Sequence, residues 1–398
     1  MLTGWLAEDP WRWYAHLTVP ATSVALIRKA IERGSAPTSA ILEQSGIGAH
    51  ELAVELGVDG ETVDTLLSGP VPAPLVVVDG EDSIVSGAPA REGVIEATLE
   101  ALAAAAGQGP RTAPMLAHAI AFRTGDSPGV DVRESDVVAI CAGLADRGAA
   151  NWLVAVVLPK VDGPQCVASH VARLGTAEER AGLPEGSIRV LPLIESARGF
   201  QRLEDSLGAA GARLGGVIFG VADYAADLGL PLMTLDHPVT AIARARLLEA
   251  AAAAGVPAFD GMTMAFPAAD PTLPAETRRR QVIDGMRQTY RDAMAAFELG
   301  MAGKWVGHPL QLFATELASR AFYLAARVEA AVEQVRAFAA ATEGGRGVAL
   351  AGGSMVDRAT DRQARAFLRR AAAAGRFEPS RLGGGAPAAA PPGDDGGR

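Results

Sequence analysis

The chain has 398 residues, 49% hydrophobic and only 5% aromatic, and a formal net charge of −10. So much apolar surface fills a large core, and the length accommodates either two or three domains or one α/β barrel with additions. The acidic balance excludes a general attraction to nucleic acid or to an anionic membrane surface.

The first predicted strand is HLTVP (16–20), and residues 1–34 are read as the start of the barrel. Residues 35–70 form a helical insertion. Within it ELAVELGVDGETVDTLL (51–67) has the apolar and glycine spacing of a helix-turn-helix, which in isolation would suggest DNA binding. From Ser35 to Ala90, however, there is no Lys or Arg, and 35–70 carries six acids. A reader helix without cations cannot neutralise phosphates, so the segment is read as a packed helical hairpin.

From Leu75 onward short apolar runs alternate with Ala-rich helical stretches. The runs are 75–79, 115–123, 152–160, 188–195, 214–220 and 256–264, with a further strand near WVGHP (305–309). Helical patterns span 91–105, 135–145, 164–174, 199–207 and 239–254. Nearly continuous apolar strands, each followed by a helix, predict a parallel sheet covered on both faces. About eight such units close into a (β/α)8 TIM-type barrel over 71–314; an open doubly wound sheet is the alternative. The absence of GxGxxG in a strand–helix context, and of a P-loop, argues against a dinucleotide fold. A C-terminal helical lobe is expected over 315–378, broken by GGRGVALAGGSMVD (344–357). A disordered tail, 379–398, is low-complexity from Gly383.

No apolar run approaches the roughly 20 residues of a membrane span, and MLTGWLAEDPWRWYAHL lacks the order of a secretory leader. Cys141 and Cys166 are isolated and the six histidines show no zinc spacing, so a reducing cytoplasm and no zinc chemistry are expected.

Two carboxylates stand out, Glu195 in VLPLIESARGF and Asp223 in GGVIFGVADYAADLG. Each follows a strand, and a helical stretch lies between, so a strand–helix–strand unit brings both to the carboxyl edge. Two hard oxygen ligands with open positions suit Mg²⁺; the alternative is two loop acids, one capping a helix. Of 36 basic residues only Lys29, Lys160 and Lys304 are Lys. A lysine retained where Arg is the rule points to a need for a compact ammonium. Lys160 ends an apolar strand and Lys304 sits in GKWVGHP, both where a barrel presents functional groups.

The motifs VVVDGEDSIVSGAPAR (76–91), AFRTGDSP (121–128), VLPKVDG, LPLIESARG, FGVADYAADLG, GKWVGHPLQ and GGSMVDRATDRQA (352–364) occur in one order. In that order the chain resembles the citrate lyase β-subunit and malyl-CoA or citramalyl-CoA lyase group of the HpcH/HpaI aldolase superfamily. The resemblance implies that Glu195 and Asp223 hold Mg²⁺, that Arg123 stabilises an enolate oxygen, and that Lys160 contacts substrate. Asp79, Glu81 and Asp82 would orient Arg123 and metal-bound water. Asp357 would transfer a proton, lent by a neighbouring subunit of a trimer or hexamer. The substrate would be a 3-hydroxy-acid CoA thioester, cleaved to acetyl-CoA and a 2-keto acid. A pyruvate-type aldolase without CoA, a malate synthase-like or thioesterase variant, and a ligand-binding regulatory barrel are the alternatives. On the residues alone, Arg123 could instead pair with Asp82, Asp357 could cap a helix, and His308 and Asp227 could serve packing or capping. Thr124 and Gly125 replace the group's Val-Asn, and Ala222 replaces a common glutamate.

Overall fold

The computed structural model describes residues 9–35, 38–43, 45–68, 74–82, 88–107, 119–126, 129–268 and 271–382. β1 (Ala15–Pro20) leads through α1 (Val24–Ser35), α2 (Thr38–Glu43), α3 (Ala49–Leu56) and α4 (Gly60–Ser68) to β2 (Leu75–Asp79). Then come α5 (Ala88–Ala106), β3 (Ala119–Arg123), α6 (Asp136–Asp146), β4 (Leu153–Leu158), α7 (Pro164–Ala181) and β5 (Arg189–Ile194). The chain continues with α8 (Ala197–Gln201), α9 (Leu203–Ala210), β6 (Val217–Phe219), α10 (Val221–Asp227), α11 (Pro238–Ala253) and β7 (Ala258–Asp260). The barrel ends with α12 (Ala275–Leu299), β8 (Gly303–Val306) and α13 (Pro309–Phe322). The eight strands pair in chain order, all parallel, and β8 closes onto β1. The predicted barrel is the observed one, and the open sheet is excluded.

Strand parity sorts the core into two layers. Val76, Val78, Ile120, Phe122, Val156 and Phe219 point outward into the helices. Leu75, Val77, Ala121, Leu191, Ile218 and Phe259 fill the lumen. Each fully buried side chain of this size contributes about 1.5–3 kcal/mol relative to exposure. On β1 the inward positions are polar. His16 is fully buried between Phe259, at 4.3 Å, and Trp305, at 6.2 Å. Neither of its ring nitrogens has a hydrogen-bond partner among the described residues. Burial lowers its pKa to about 3, so the ring is neutral.

Lys304 is not at the mouth. Trp305 takes the inward position on β8, so Lys304 points outward and is 0% exposed. It donates to the carbonyl oxygen of Gly261 at 2.6 Å and lies 3.5 Å from Asp260, which also accepts two 2.9 Å bonds from Arg244 of α11. A lysine read as functional is therefore part of an ion cluster in the barrel wall.

The insertion helices pack on α12 and α13, burying Leu52, Val63 and Leu66 against Leu317 and Phe313. Two of its six acids find cations there: Glu51 pairs with Arg279, and Glu55 with Arg280 and Arg287. Position 315, the expected start of the lobe, lies within α13. Beyond it, α14 (Ala325–Glu343), the antiparallel hairpin of β9 (Ala349–Ala351) and β10 (Ser354–Val356), and α15 (Arg358–Ala373) pack together. Arg369 of α15 stacks over Trp11 at 4.7 Å, just before β1, which ties the lobe to the amino-terminal end of the barrel. Residues 379–382, assigned to the tail from sequence, form a 3₁₀ turn in which Arg381 binds Glu329 at 2.7 Å; the rest of the expected tail lies outside the described residues.

Candidate functional site

The carboxyl ends of β2 and β3 lie in register, Asp79 beside Arg123. Gly80 follows Asp79 because a β-carbon there would sit 2.5 Å from the Phe122 ring. The turn that results lets Asp79 accept from the Glu81 N–H at 3.0 Å and brings Glu81 and Asp82 back over the lumen. The Arg123 guanidinium then meets Asp79 at 3.4 Å, Glu81 at 2.5 Å and Asp82 at 3.0 Å. Its face lies 5.8 Å from the Trp305 ring, and its buried Nε has no partner among the described residues. Arg123 therefore pairs with Asp82, as one reading held, and still has a donor to offer.

Glu195 directly follows β5 and is buried, while Asp223 stands in the first turn of α10 and is half exposed. Gly220 makes room for Glu195, since a β-carbon there would fall 2.4 Å from that of Glu195. Lys160 joins the two. Its backbone N–H donates to Glu195 Oε1 at 2.7 Å, and its Nζ lies 3.6 Å from Glu195, 3.0 Å from Asp223 and 3.2 Å from Asp82.

Burial pushes the Glu195 carboxyl up to about 8, with help from Asp223 and against the Lys160 N–H and ammonium and Arg123. Burial likewise carries Glu81 up to about 7, with Asp82 adding to the rise and Arg123 and Lys160 opposing it. Burial works against the charge of Lys160 as well, but Glu195 and Asp223 hold its proton more tightly than usual.

The donor set tests whether a divalent cation fits. Among the described residues, Asp79, Glu81 and Asp82 meet Arg123, and Asp82, Glu195 and Asp223 meet Lys160. Glu195 and Asp223 already converge on one positive charge, and both are hard oxygen donors, so the pair fits a magnesium-like ion. No group of three or more His, Cys, Asp or Glu among the described residues is arranged to hold a metal. Two protein ligands, with water and substrate completing the shell, are what the geometry offers.

Asp357 is not brought to this cluster within the chain. It caps α15, accepting from the N–H groups of Ala359 and Thr360 at 3.0 and 2.9 Å, in the lobe tied to the opposite end of the barrel. His308 caps α13 through Leu310 N–H at 3.2 Å and packs on Phe266, and Asp227 accepts from Ala197 N–H at 2.7 Å. Thr124 is buried and accepts from Asp126 N–H at 3.0 Å. Sequence reasoning missed His16, Trp305 and Gly220. The alternation of His16 and Thr18 with outward Leu17 was the available signal for a polar inner face.

Residues 131–383 match a family described as a domain of unknown function (DUF6986). A curated relative, L-malyl-CoA/β-methylmalyl-CoA lyase of Haloarcula marismortui, is 30% identical over 207 residues, covering 51% of this chain and 56% of that protein. The chain thus spans about half the length of the curated relative it matches. The fold is similar to a citrate lyase of Burkholderia xenovorans, with TM-score 0.61, 20% identity, and 93% and 95% of the two chains covered. It is also similar to the protein CitE of Mycobacterium tuberculosis in complex with magnesium, acetoacetate and coenzyme A, with TM-score 0.52, 19% identity, and 90% and 97% covered. The curated relative bears out the citrate lyase-like resemblance read from the motifs, and the two structures share the barrel fold.

Proposed function

The chain belongs to the DUF6986 family, and from that premise we propose that it is a Mg²⁺-dependent carbon–carbon lyase acting on a 3-hydroxy-acid CoA thioester of malyl or citramalyl type. The observation that carries this reading is the convergence of Glu195 and Asp223 on one cation beside Arg123 at the carboxyl end of the barrel. The curated relative is a malyl-CoA lyase, and the fold is shared with a magnesium- and CoA-bound protein, which supports the same chemistry. Glu195 and Asp223 would hold a divalent ion, which would supply Lewis-acid charge to the oxygens of the keto-acid half.

The remaining work falls to the chain's own residues. Arg123, fixed by Asp79, Glu81 and Asp82, has a buried Nε without a partner among the described residues and a cationic face to set against the enolate oxygen left when the carbon–carbon bond breaks. Removing such a donor typically costs about 2.7–4 kcal/mol of barrier. Asp357, tied to the far end of its own barrel, would reach a mouth only in another copy of the chain, where its carboxylate would take the proton that the 3-hydroxyl loses as the carbon–carbon bond breaks and return it to the enolate carbon. A homo-oligomer follows from this reading.

The test offers the purified protein malyl-CoA, citramalyl-CoA, and pyruvate with an aldehyde, each with Mg²⁺ and then with a chelator. Turnover of a CoA ester, lost on chelation and lowered at least about a hundredfold in Glu195→Gln, is expected. Turnover of pyruvate and aldehyde alone would reject the CoA substrate, and chelator-resistant turnover would reject the metal.

A further inference from the structure

The lysine at the mouth has the wrong surroundings for a permanent ion pair. Its Nζ touches three carboxylates at once, Asp223 at 3.0 Å, Asp82 at 3.2 Å and Glu195 at 3.6 Å, but it remains 46% exposed. Lys304, by contrast, is sealed in the wall at 0% exposure against a carbonyl oxygen and Asp260. Lys160 is also the non-glycine residue at positive φ, +52°, among the described residues. A left-handed backbone is strained for a residue that carries a β-carbon. Here that conformation accompanies two contacts with one carboxylate, the N–H on Glu195 Oε1 at 2.7 Å and the ammonium 3.6 Å away. The backbone contact can persist without the ammonium, because the four-carbon stem swings independently of the main chain.

We infer that the Lys160 ammonium and a divalent cation are alternative occupants of the Glu195–Asp223 pair. This inference rests on the metal reading of that pair. In the cation-free protein, Lys160 offsets the repulsion of the three carboxylates it touches. When a divalent ion binds, both charges cannot share the pair, and the ammonium is released toward solvent at the rim. It is then free to bind the carboxylate or another anionic group of a substrate. Cation and anionic substrate are thereby coupled, the first exposing a binding group for the second, and the coupling is reciprocal.

Two measurements test this without an activity assay. In titration calorimetry, Lys160→Met and Lys160→Gln should bind Mg²⁺ at least tenfold more tightly than the wild-type protein, because no tethered charge has to leave. Equal or weaker affinity in the variants, with binding in all three proteins, overturns the inference alone. Absence of binding in wild type and variants alike overturns the metal reading and the inference with it. The second measurement uses the unmodified chain, so it stands even where a variant fails to fold. With only three lysines, amine labelling followed by mass spectrometry reads Lys160 separately from Lys29. Saturating Mg²⁺ should raise the labelling rate of Lys160 at least threefold and leave Lys29 unchanged. A Lys160 rate that stays level or falls contradicts the exchange.

Discussion

Two clusters of acids and bases lie on either side of the same barrel wall, and they differ in balance rather than in residue type. In the wall, Asp260 and Asp292 meet Arg244 and Lys304, with Thr263 and Gln288 donating to Asp292 at 2.6 and 2.9 Å. Charges cancel, and water is excluded. At the mouth, among the described residues, the single ammonium of Lys160 meets three carboxylates and is left half exposed. A balanced cluster is a structural joint, whose loss would cost stability. An open cluster, with three carboxylates around one exposed ammonium, is the arrangement on which the proposed cation site rests. The ammonium–carboxylate contact alone does not tell the two apart; the residual charge and the exposure do.

Three experiments can break or sharpen this contrast, ordered by expected effect on stability. Lys304→Met leaves Asp260 buried with less compensation, and breaking such a pair costs about 3–5 kcal/mol. Its denaturant midpoint should fall accordingly, while kcat per folded molecule stays at the wild-type level. A midpoint unchanged from wild type would erase the distinction between wall and mouth.

The second concerns His16, the polar group in the lumen that belongs to neither cluster. Its folded pKa is about 3, against 6.5 for the free side chain. Between those values the unfolded chain binds the proton and the folded chain does not, so stability falls as pH drops below about 6.5. His16→Leu should therefore remove about 2 kcal/mol of the stability that the wild type loses between pH 7 and pH 5. Parallel pH profiles for the two proteins would show that the ring is not held neutral.

The third, smallest in stability, takes a carboxylate, Asp357, that is satisfied like those of the wall but only half buried, like Asp223 at the mouth. Asp357→Ala loses a helix cap worth about 1 kcal/mol, whereas Asp357→Asn keeps an acceptor oxygen and should unfold close to wild type. If Asp357 also moves a proton in another copy's mouth, Asp357→Asn still loses turnover by roughly 10²–10⁴. Equal activity in Asp357→Asn and wild type reduces Asp357 to a cap.

The sequence by itself determined the barrel and the line-up of its rim. Continuous apolar runs demand burial on both faces, and a run such as LVVVD at 75–79 became a strand with the same bounds. Because strand ends emerge at one edge, Glu195, Asp223, Arg123 and Lys160 could be assigned to a common mouth before any contact was known. What only the tertiary structure decided was facing and charge balance. Lys304 and Trp305 are adjacent in sequence, and the register of β8 against β1 and β7 alone sent one outward and the other into the lumen. Two of the insertion's acids, Glu51 and Glu55, looked unpaired locally, because their partners, Arg279, Arg280 and Arg287, lie more than two hundred residues away along the chain. The three-way grip on Lys160 depends on carboxylates from three different strand ends meeting in space, a through-space sum of charge that no local pattern encodes.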